Sequence, residues 1–491
     1  MITYWLNSSD VLNDIFIPRY YDPTIEDDLA AMAKTHYLLE LAKLVEDGVV
    51  SVATGDEIGK MAYGTGDIPF VRTSDISNWE IKAAPKQGVS EDIYQSYTKK
   101  QDVKVGDILL VKDGTYLIGT NCIITQLDEK IIYQSHLLKL RVGTSDTFNP
   151  HLLFLALNSR IVQRQIRSVQ FTADTIDTIG KRYLEIVIPI PKKKAVRDRL
   201  TEQVVEVLDA RERGKAFIKQ APVLMEEVLS TNSVKPIRDY LKLSWEDILA
   251  SMNQETITAE FGHFETFWCS SGEIKEAIYL PKYYDPEIID ELKKLSKTCD
   301  CKSFDELEFE GVIESKTGDE IGKMAYGTGP IPFIRTSDFS NWEIKHDPKQ
   351  AVSEEIYSQY AGSQDVVVGD ILLVRDGTYL VGSSCMITES DEKILYCGGL
   401  YKIRVKDQAK LDPWLLLGLL NSYIVKRQIR TKQFTRDVID TLGKRLGEVV
   451  LPIPKSNSVR KAISDEIRNI VMLRIEAREK ISELSVKILE S

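Results

Sequence analysis

The stretch TGDEIGKMAYGTG, Thr54 to Gly66, carries glycines and a lysine at a density that raises the possibility of phosphate chemistry. A nucleotide-cradling loop needs four residues between its glycines and then Lys followed by Ser or Thr, so that backbone amides hold the phosphates and the hydroxyl reaches magnesium. Here three residues separate Gly55 from Gly59, and Lys60 precedes Met61, so the stretch reads as a glycine-rich turn region between strands. A second constellation, GDILLVKDG, gathers Asp107, Lys112 and Asp113, the residue types of a metal-dependent nuclease. It lacks a further acidic residue at suitable spacing. An adenine methyltransferase would need an Asn- or Asp-Pro-Pro-aromatic motif for the flipped base and a glycine-rich strand turn for its cofactor. YYDP at Tyr20 and at Tyr283 has one proline and the wrong order, and CDC at Cys299 lacks the second ligand pair of a zinc site.

Repetition is the stronger signal. The same thirteen letters return from Thr317 to Gly329, and Thr54–Lys82 matches Thr317–Lys345 at 26 of 29 positions, differing only at Asp67/Pro330, Val71/Ile334 and Ile76/Phe339. The offset of 263 also pairs YYDP at Tyr20 and Tyr283, GDILLV at Gly106 and Gly369, QIR at Gln165 and Gln428, IDT at Ile176 and Ile439, and PIP at Pro189 and Pro452, with no gap. The chain is one unit of about 228 residues, a connector, and the unit again. A reaction shared by both halves cannot use His136, which faces Gly399, and Lys112 faces Arg375.

Within each unit the pattern is β from about Val49 to Val142, in short runs of branched residues broken by Gly and Asp. KDGTY at Lys112 and RDGTY at Arg375 read as hairpin turns, since Asp-Gly supplies positive φ. Pro150 to Arg167 reads as one arginine-bearing helix. After IPIPKKK a long helix begins, uninterrupted by proline until Pro222. Its apolar seam is Val196, Leu200, Val204, Val207, Ile218 and Met225. In the second copy the seam is Val459, Ile463, Ile467, Ile470, Ala477, Ile481, Leu484 and Ile488, broken at Arg474 where the first copy has Arg211. Two such helices offer each other an apolar face, and an antiparallel pair gives pseudo-twofold symmetry. The expected fold class is α+β, with residues 1–191 and 264–454 as β-rich domains, 192–228 and 455–491 as long helices, and 229–263 as connector.

At 491 residues with 43% apolar and 28% charged content, each half can bury a core. The six cysteines form no disulfide framework, and neither a signal peptide nor a membrane-length apolar run is present, which together lead to the expectation of a cytoplasmic protein. Net charge is −11, yet Asn158–Arg182 carries Arg160, Arg164, Arg167, Lys181 and Arg182 against Asp174 and Asp177. Asn421–Arg445 carries Lys426, Arg427, Arg430, Lys432, Arg436, Lys444 and Arg445 against Asp437 and Asp440. A local basic face on an acidic protein suits a DNA reader whose other surfaces meet proteins. Guanine is read by Arg or Lys, adenine by Asn or Gln, and phosphates are held by Lys, Arg, Ser and Thr. The candidates for DNA contact are accordingly Lys60, Arg72, Thr73, Ser74, Asn78, Lys82, Tyr116, Arg164, Arg167, Gln170 and Thr172. Their partners are Lys323, Arg335, Thr336, Ser337, Asn341, Lys345, Tyr379, Arg427, Arg430, Gln433 and Thr435.

The order of motifs, G.IPF.RTSD, then GDILL...G, then QF......IGK, then IPIP leading into a long helix, all given twice, resembles the specificity subunit of type I restriction-modification enzymes. A relative serving another phage-defence methylation system would share it. The resemblance covers nearly the whole chain, although the lead IFIPRYYDP and the connector do not match it. It implies a non-catalytic chain with two target recognition domains, each reading half of a split double-stranded DNA target. Near-identical domains imply near-identical half-sites in inverted repeat, and a helix of roughly 30 residues is ~45 Å long, or ~13 base pairs of unread spacer. The implied partners are two adenine methyltransferase subunits, which hold S-adenosylmethionine while this chain holds no cofactor or metal, with room for an ATP-dependent restriction subunit. The competing readings are a divergent metal-dependent nuclease and a protein scaffold with no DNA role.

Overall fold

In the computed structural model the described residues are 5, 11, 15–114, 116–143, 145, 147–173, 176–253, 267–275, 278–377, 379–436 and 439–490. Asp174, Asp437 and residues 254–263 of the connector therefore lie outside them. The first repeat begins with α1 (Pro23–Met32), and here the YYDP motif has its explanation: Asp22 caps the helix by accepting from the Thr24 N–H at 3.0 Å, and Pro23 occupies the first turn, where no N–H is required. Strand β1 (His36–Glu40) leads into α2 (Leu41–Glu46) and then β2 (Val50–Thr54). Next come β3 (Ile68–Val71), β4 (Ile76–Ser77), β5 (Glu80–Ile81), β6 (Gly88–Val89), α3 (Glu91–Gln101), β7 (Ile108–Val111), β8 (Asn121–Ile123), β9 (Ile132–Tyr133) and β10 (Leu137–Val142). The four-stranded sheet runs β2-β10-β7-β8, a three-stranded sheet runs β6-β3-β9, and β4-β5 is a separate pair. ILLV of β7 is buried at every position, as a central strand covered on both faces requires. The unit closes with α4 (Pro150–Asn158), α5 (Arg160–Ser168), the hairpin of β11 (Phe171–Ala173) and β12 (Ile176–Thr178), and β13 (Val187–Pro191), which pairs with β1. The second repeat reproduces this order and these sheets 263 residues later.

Three local expectations are corrected. The region read as β throughout contains α3, started by Ser90, whose hydroxyl accepts from the Ile93 N–H. The single helix expected from Pro150 to Arg167 is two, parted at Ser159, whose backbone is extended. Asp113–Gly114 is no two-residue hairpin turn. Strand β7 ends at Val111 and β8 begins at Asn121; of the pair only Gly114 has positive φ (119°), and Asp113 instead bridges to Thr178.

The long helices are Lys194–Thr231 and Asn457–Glu490, and the first continues through Pro222. The chain divides into two compact units, 1–212 with 477–491, and 213–476. In the first unit Leu200, Val204 and Val207 share a core with Ala477, Ile481, Leu484 and Ile488. The opening half of one helix thus packs with the closing half of the other, and the pair is antiparallel. His36, buried on β1, places Nε2 2.7 Å from the Ile488 carbonyl oxygen near the end of the second helix. In the second unit its counterpart Cys299 directs its thiol to the Leu229 carbonyl (3.8 Å), and Thr298 donates to the same oxygen at 2.7 Å. CDC is therefore helix-end packing, and all six cysteines are free thiols. The described part of the connector folds onto its helix: Tyr240 stacks edge-on with Phe217, and Arg213 donates to the Leu243 carbonyl. Among the described residues no helix is long and apolar enough to cross a membrane.

Candidate nucleic-acid interface

The glycines of the repeated stretch answer to backbone sterics. A Cβ on Gly55 would sit 2.3 Å from the Tyr133 carbonyl oxygen, one on Gly66 would meet Val89 at 2.7 Å, and Gly64 has φ of +71°. No phosphate cradle is needed to account for these three. SNWEIK forms the β4–β5 hairpin, in which Asn78 (φ 48°) and Trp79 (φ 65°) both take the left-handed conformation of a type I′ turn. Trp79 is buried and donates from Nε1 to Asn158 Oδ1 at 2.9 Å. Glu80 pairs with Arg211 of the long helix at 3.1 Å, and Glu343 with Arg474 at 2.8 Å. The arginines that break the apolar seam are thus where each helix docks on its hairpin. In RTSD, Asp75 is buried and accepts from the N–H groups of Arg72 and Lys86.

The remaining polar residues form local groups of contacts in each unit. In the first unit Arg72 Nε reaches Gln134 Oε1 at 3.5 Å, and beyond it His136 Nδ1 lies 2.9 Å from Asp113 Oδ2. Asp113 also accepts from the Thr178 hydroxyl. Next along β12, Asp177 accepts from Gln170 Nε2 (2.8 Å) and from the Thr172 hydroxyl (2.6 Å), and these bonds, Thr172 first, hold its carboxyl below the usual range. Arg167 bonds the Gln170 side chain at 3.2 Å and the Tyr116 carbonyl at 3.3 Å. Arg182 stacks over Phe171 at 3.7 Å. The second unit repeats this pattern with Arg430–Gln433–Asp440–Thr435, Asp376–Thr441 and Arg445 over Phe434.

The sequence candidates therefore separate. Lys60, Ser74, Tyr116, Arg167 and Thr172 are exposed, as are Lys323, Ser337, Tyr379, Arg430 and Thr435. Arg72, Thr73, Arg335 and Thr336 are half-buried beside them, and Gln170 and Gln433 are buried supports of the hairpin. Asn78 and Asn341 form the turn, Asn78 being buried, and the half-buried Lys82 and Lys345 follow it. Arg164 and Arg427 are ion-paired within their units. Arg164 is held by Asp22 and Asp28, and Arg427 by Asp285 (2.8 Å) and Glu287, so both tie the arginine-bearing helix to the first helix of its unit. The nuclease constellation also dissolves: Asp107 is buried against Arg141 (2.7 Å) and Lys139 (3.7 Å), while Asp113 takes a separate set of partners. No group of three metal-ligating side chains occurs among the described residues.

The DNA-contact candidates drawn from sequence leave out the Asp113/Asp376 pair and the stacked Arg182/Arg445, which were noted there only as nuclease-type or basic residues, and Arg19/Lys282, which donate to the Gln170 and Gln433 carbonyls. The available signal was the change from Lys112 and His136 to Arg375 and Gly399. In the second unit Arg375 donates from Nε (3.0 Å) and Nη2 (2.6 Å) to Asp376, which replaces the histidine contact, and these bonds raise the guanidinium pKa. Arg375, Tyr401, Phe434, Lys444 and Arg445 line a cleft of about 660 Å³.

Solved structures similar to this chain include the crystal structure of the type I restriction-modification system S subunit from M. genitalium, with 11% identity, TM-score 0.34, and coverage of 93% of this chain and 95% of that one. A structure from work on complex assembly and conformational transition of the type I R-M system gives 14%, 0.27, 93% and 97%. The HsdS subunit from Thermoanaerobacter tengcongensis gives 15%, 0.26, 94% and 94%. No family model matches the chain. No curated protein matches it.

Proposed function

We propose that the chain is a sequence-specific DNA-recognition subunit that directs a partner adenine methyltransferase to a bipartite, near-palindromic double-stranded target. The observation that carries this reading is the duplicated surface of Arg72, Tyr116, Arg167, Thr172 and Arg182. It brings guanidinium, hydroxyl and aromatic groups together around the Phe171 hairpin and its counterpart, with Arg72 bonded separately to Gln134, on residues 263 apart. Guanidinium and hydroxyl groups fix phosphates and read base edges, and the aromatic groups add stacking. The motif order supports methyltransferase partners that hold S-adenosylmethionine, and a restriction subunit is compatible with it. The separation of Asp107 from Asp113 weighs against the nuclease reading.

The test is affinity purification of the tagged chain from its host, followed by sequencing of methylated sites. The expected result is co-purification of a methyltransferase and a gapped target whose modification is lost on deletion of this gene. Stoichiometric S-adenosylmethionine binding by the isolated chain, or metal-dependent DNA cleavage by it, would refute the proposal.

A further inference from the structure

The two units differ most sharply where their shared surface meets the Asp113/Asp376 carboxylate. In the second unit Asp376 Oδ2 takes Nε and Nη2 of Arg375, and Asp376 Oδ1 accepts from the Thr441 hydroxyl. The carboxylate thus fixes one edge of the guanidinium plane. Nη1 has no hydrogen-bond partner among the described residues, and the side chain lies in the cleft with Lys444, Arg445 and Tyr401. Gly398 and Gly399 bear no side chain that could take the place of His136 and let their neighbours pack close: a Cβ on the former would lie 2.7 Å from the Glu320 carboxylate, and on the latter 3.0 Å from the Thr336 methyl. In the first unit the same carboxylate is occupied by His136, Lys112 is a point charge 3.9 Å away, and Ser135 and His136 fill the space beside Glu57. A guanidinium clamped along one edge presents two parallel N–H groups on the other, the arrangement that matches guanine O6 and N7; a lysine ammonium can also reach guanine but has no fixed fork, and Lys112 is drawn towards Asp113.

We infer that Arg375 reads a guanine in the half-site of the second unit, at a position where the first unit, with Lys112 and His136, does not require guanine. The target is then an imperfect inverted repeat whose one asymmetric position is set by residues 112 and 136 against 375 and 399. This rests on the DNA-recognition reading above and deepens it.

The experiment complements a host lacking this gene with the wild-type or variant full chain and maps methylated sites genome-wide. For the wild type, the expected half-sites differ at one position, with guanine required only in one. Arg375→Ala should lower the preference for that guanine on the order of tenfold to a hundredfold and leave the other half-site unchanged. The double variant Lys112→Arg, His136→Gly should impose guanine on the first half-site. Identical wild-type half-sites, or variants that leave both half-sites unaltered, overturn the inference, and the wild-type target alone decides it if a variant fails to accumulate. Absence of any methylation dependent on this chain overturns instead the functional reading on which it rests.

Discussion

Replacing Glu343 by alanine tests the claim that the repeated SNWEIK segment docks the long helix. Arg474 is 0% exposed and Glu343 1%, with their charged atoms 2.8 Å apart, so the substitution removes a carboxylate partner from a buried guanidinium. Removing one partner of a buried pair costs about 3–5 kcal/mol, since that carboxylate no longer offsets the desolvation of the remaining charge. Glu80 is 10% exposed and 3.1 Å from Arg211, so water can reach the equivalent site, and Glu80→Ala should cost about 2–3 kcal/mol. Replacing both members, Glu343→Leu with Arg474→Met, should recover most of the loss, because apolar residues of similar volume carry no desolvation penalty. Urea unfolding of the full chain, followed by tryptophan fluorescence with Trp342 next to the pair, measures all three. A cost below about 1 kcal/mol for Glu343→Ala, or a double variant weaker than the single one, would refute the docking role.

Alanine at Arg167 and Arg430 should lower the salt dependence of DNA binding by about one unit of log–log slope per lost phosphate contact. Alanine at Arg164 or Arg427, which are ion-paired within their units, should instead reduce thermal stability and leave the slope unchanged, as salt titration beside thermal melts will show. Burial, with the charge of Glu291 added, pushes the Glu226 carboxyl up to about 7 from 4.5. The folded chain then holds more protons than the unfolded one between those values, so stability falls as pH rises through that window and the full penalty applies above it. At 1.36 kcal/mol per pH unit the penalty is at most ~3 kcal/mol, reduced to ~2 by partial exposure. Glu226→Gln should recover that amount at pH 8 and gain nothing at pH 4, read by denaturant midpoints. Gly55→Ala, which forces a methyl onto the Tyr133 carbonyl, should cost at least 2 kcal/mol, on the order of other backbone-incompatible substitutions, while Gly59→Ala, with open space around it, should cost little in the same assay.

The duplication, the α+β class and the antiparallel long helices were legible because they rest on periodicity and offset, which survive without three-dimensional context. Helix α3 was not. Ile93, Tyr94 and Tyr97 are residues that favour strands, and the deciding feature is the Ser90 cap, a local contact weaker as a pattern than the surrounding β runs. The turn at Asp113 failed for a different reason. Its aspartate is engaged by Thr178, 65 residues away, and a tertiary partner overrides a two-residue propensity. Arg164 looked like Arg167, three residues on and on the same side of the helix, because a helical wheel cannot show that Arg164 meets Asp22 and Asp28 while Arg167 meets solvent and the Tyr116 loop.

Identity between the copies has several distinct causes, and on the proposed function only one would concern recognition. Gly55, Gly64 and Gly66 are kept by backbone geometry, Trp79 and Glu80 by the docking of the long helix, and Asp75 by the N–H groups it holds. On α3 the outward residues change freely between copies, Gln95 to Ser358 and Lys99 to Gly362, while Ile93, Tyr94, Tyr97 and Gln101 on its packed side are retained as Ile356, Tyr357, Tyr360 and Gln364. Against that background, exposed residues that do not change carry more weight than buried ones. Lys60 and Met61 project from their loop, with Met61 93% exposed, and return as Lys323 and Met324. Neither a tight turn nor a core contact accounts for the methionine. The surface shared by the two half-sites should therefore be sought in this loop tip together with Tyr116, Arg167 and Thr172, and the asymmetry at residues 112, 136, 375 and 399. If alanine at Lys60 and Met61 leaves target choice and affinity unchanged while alanine at Arg167 does not, the loop tip belongs to a protein partner that meets both units alike.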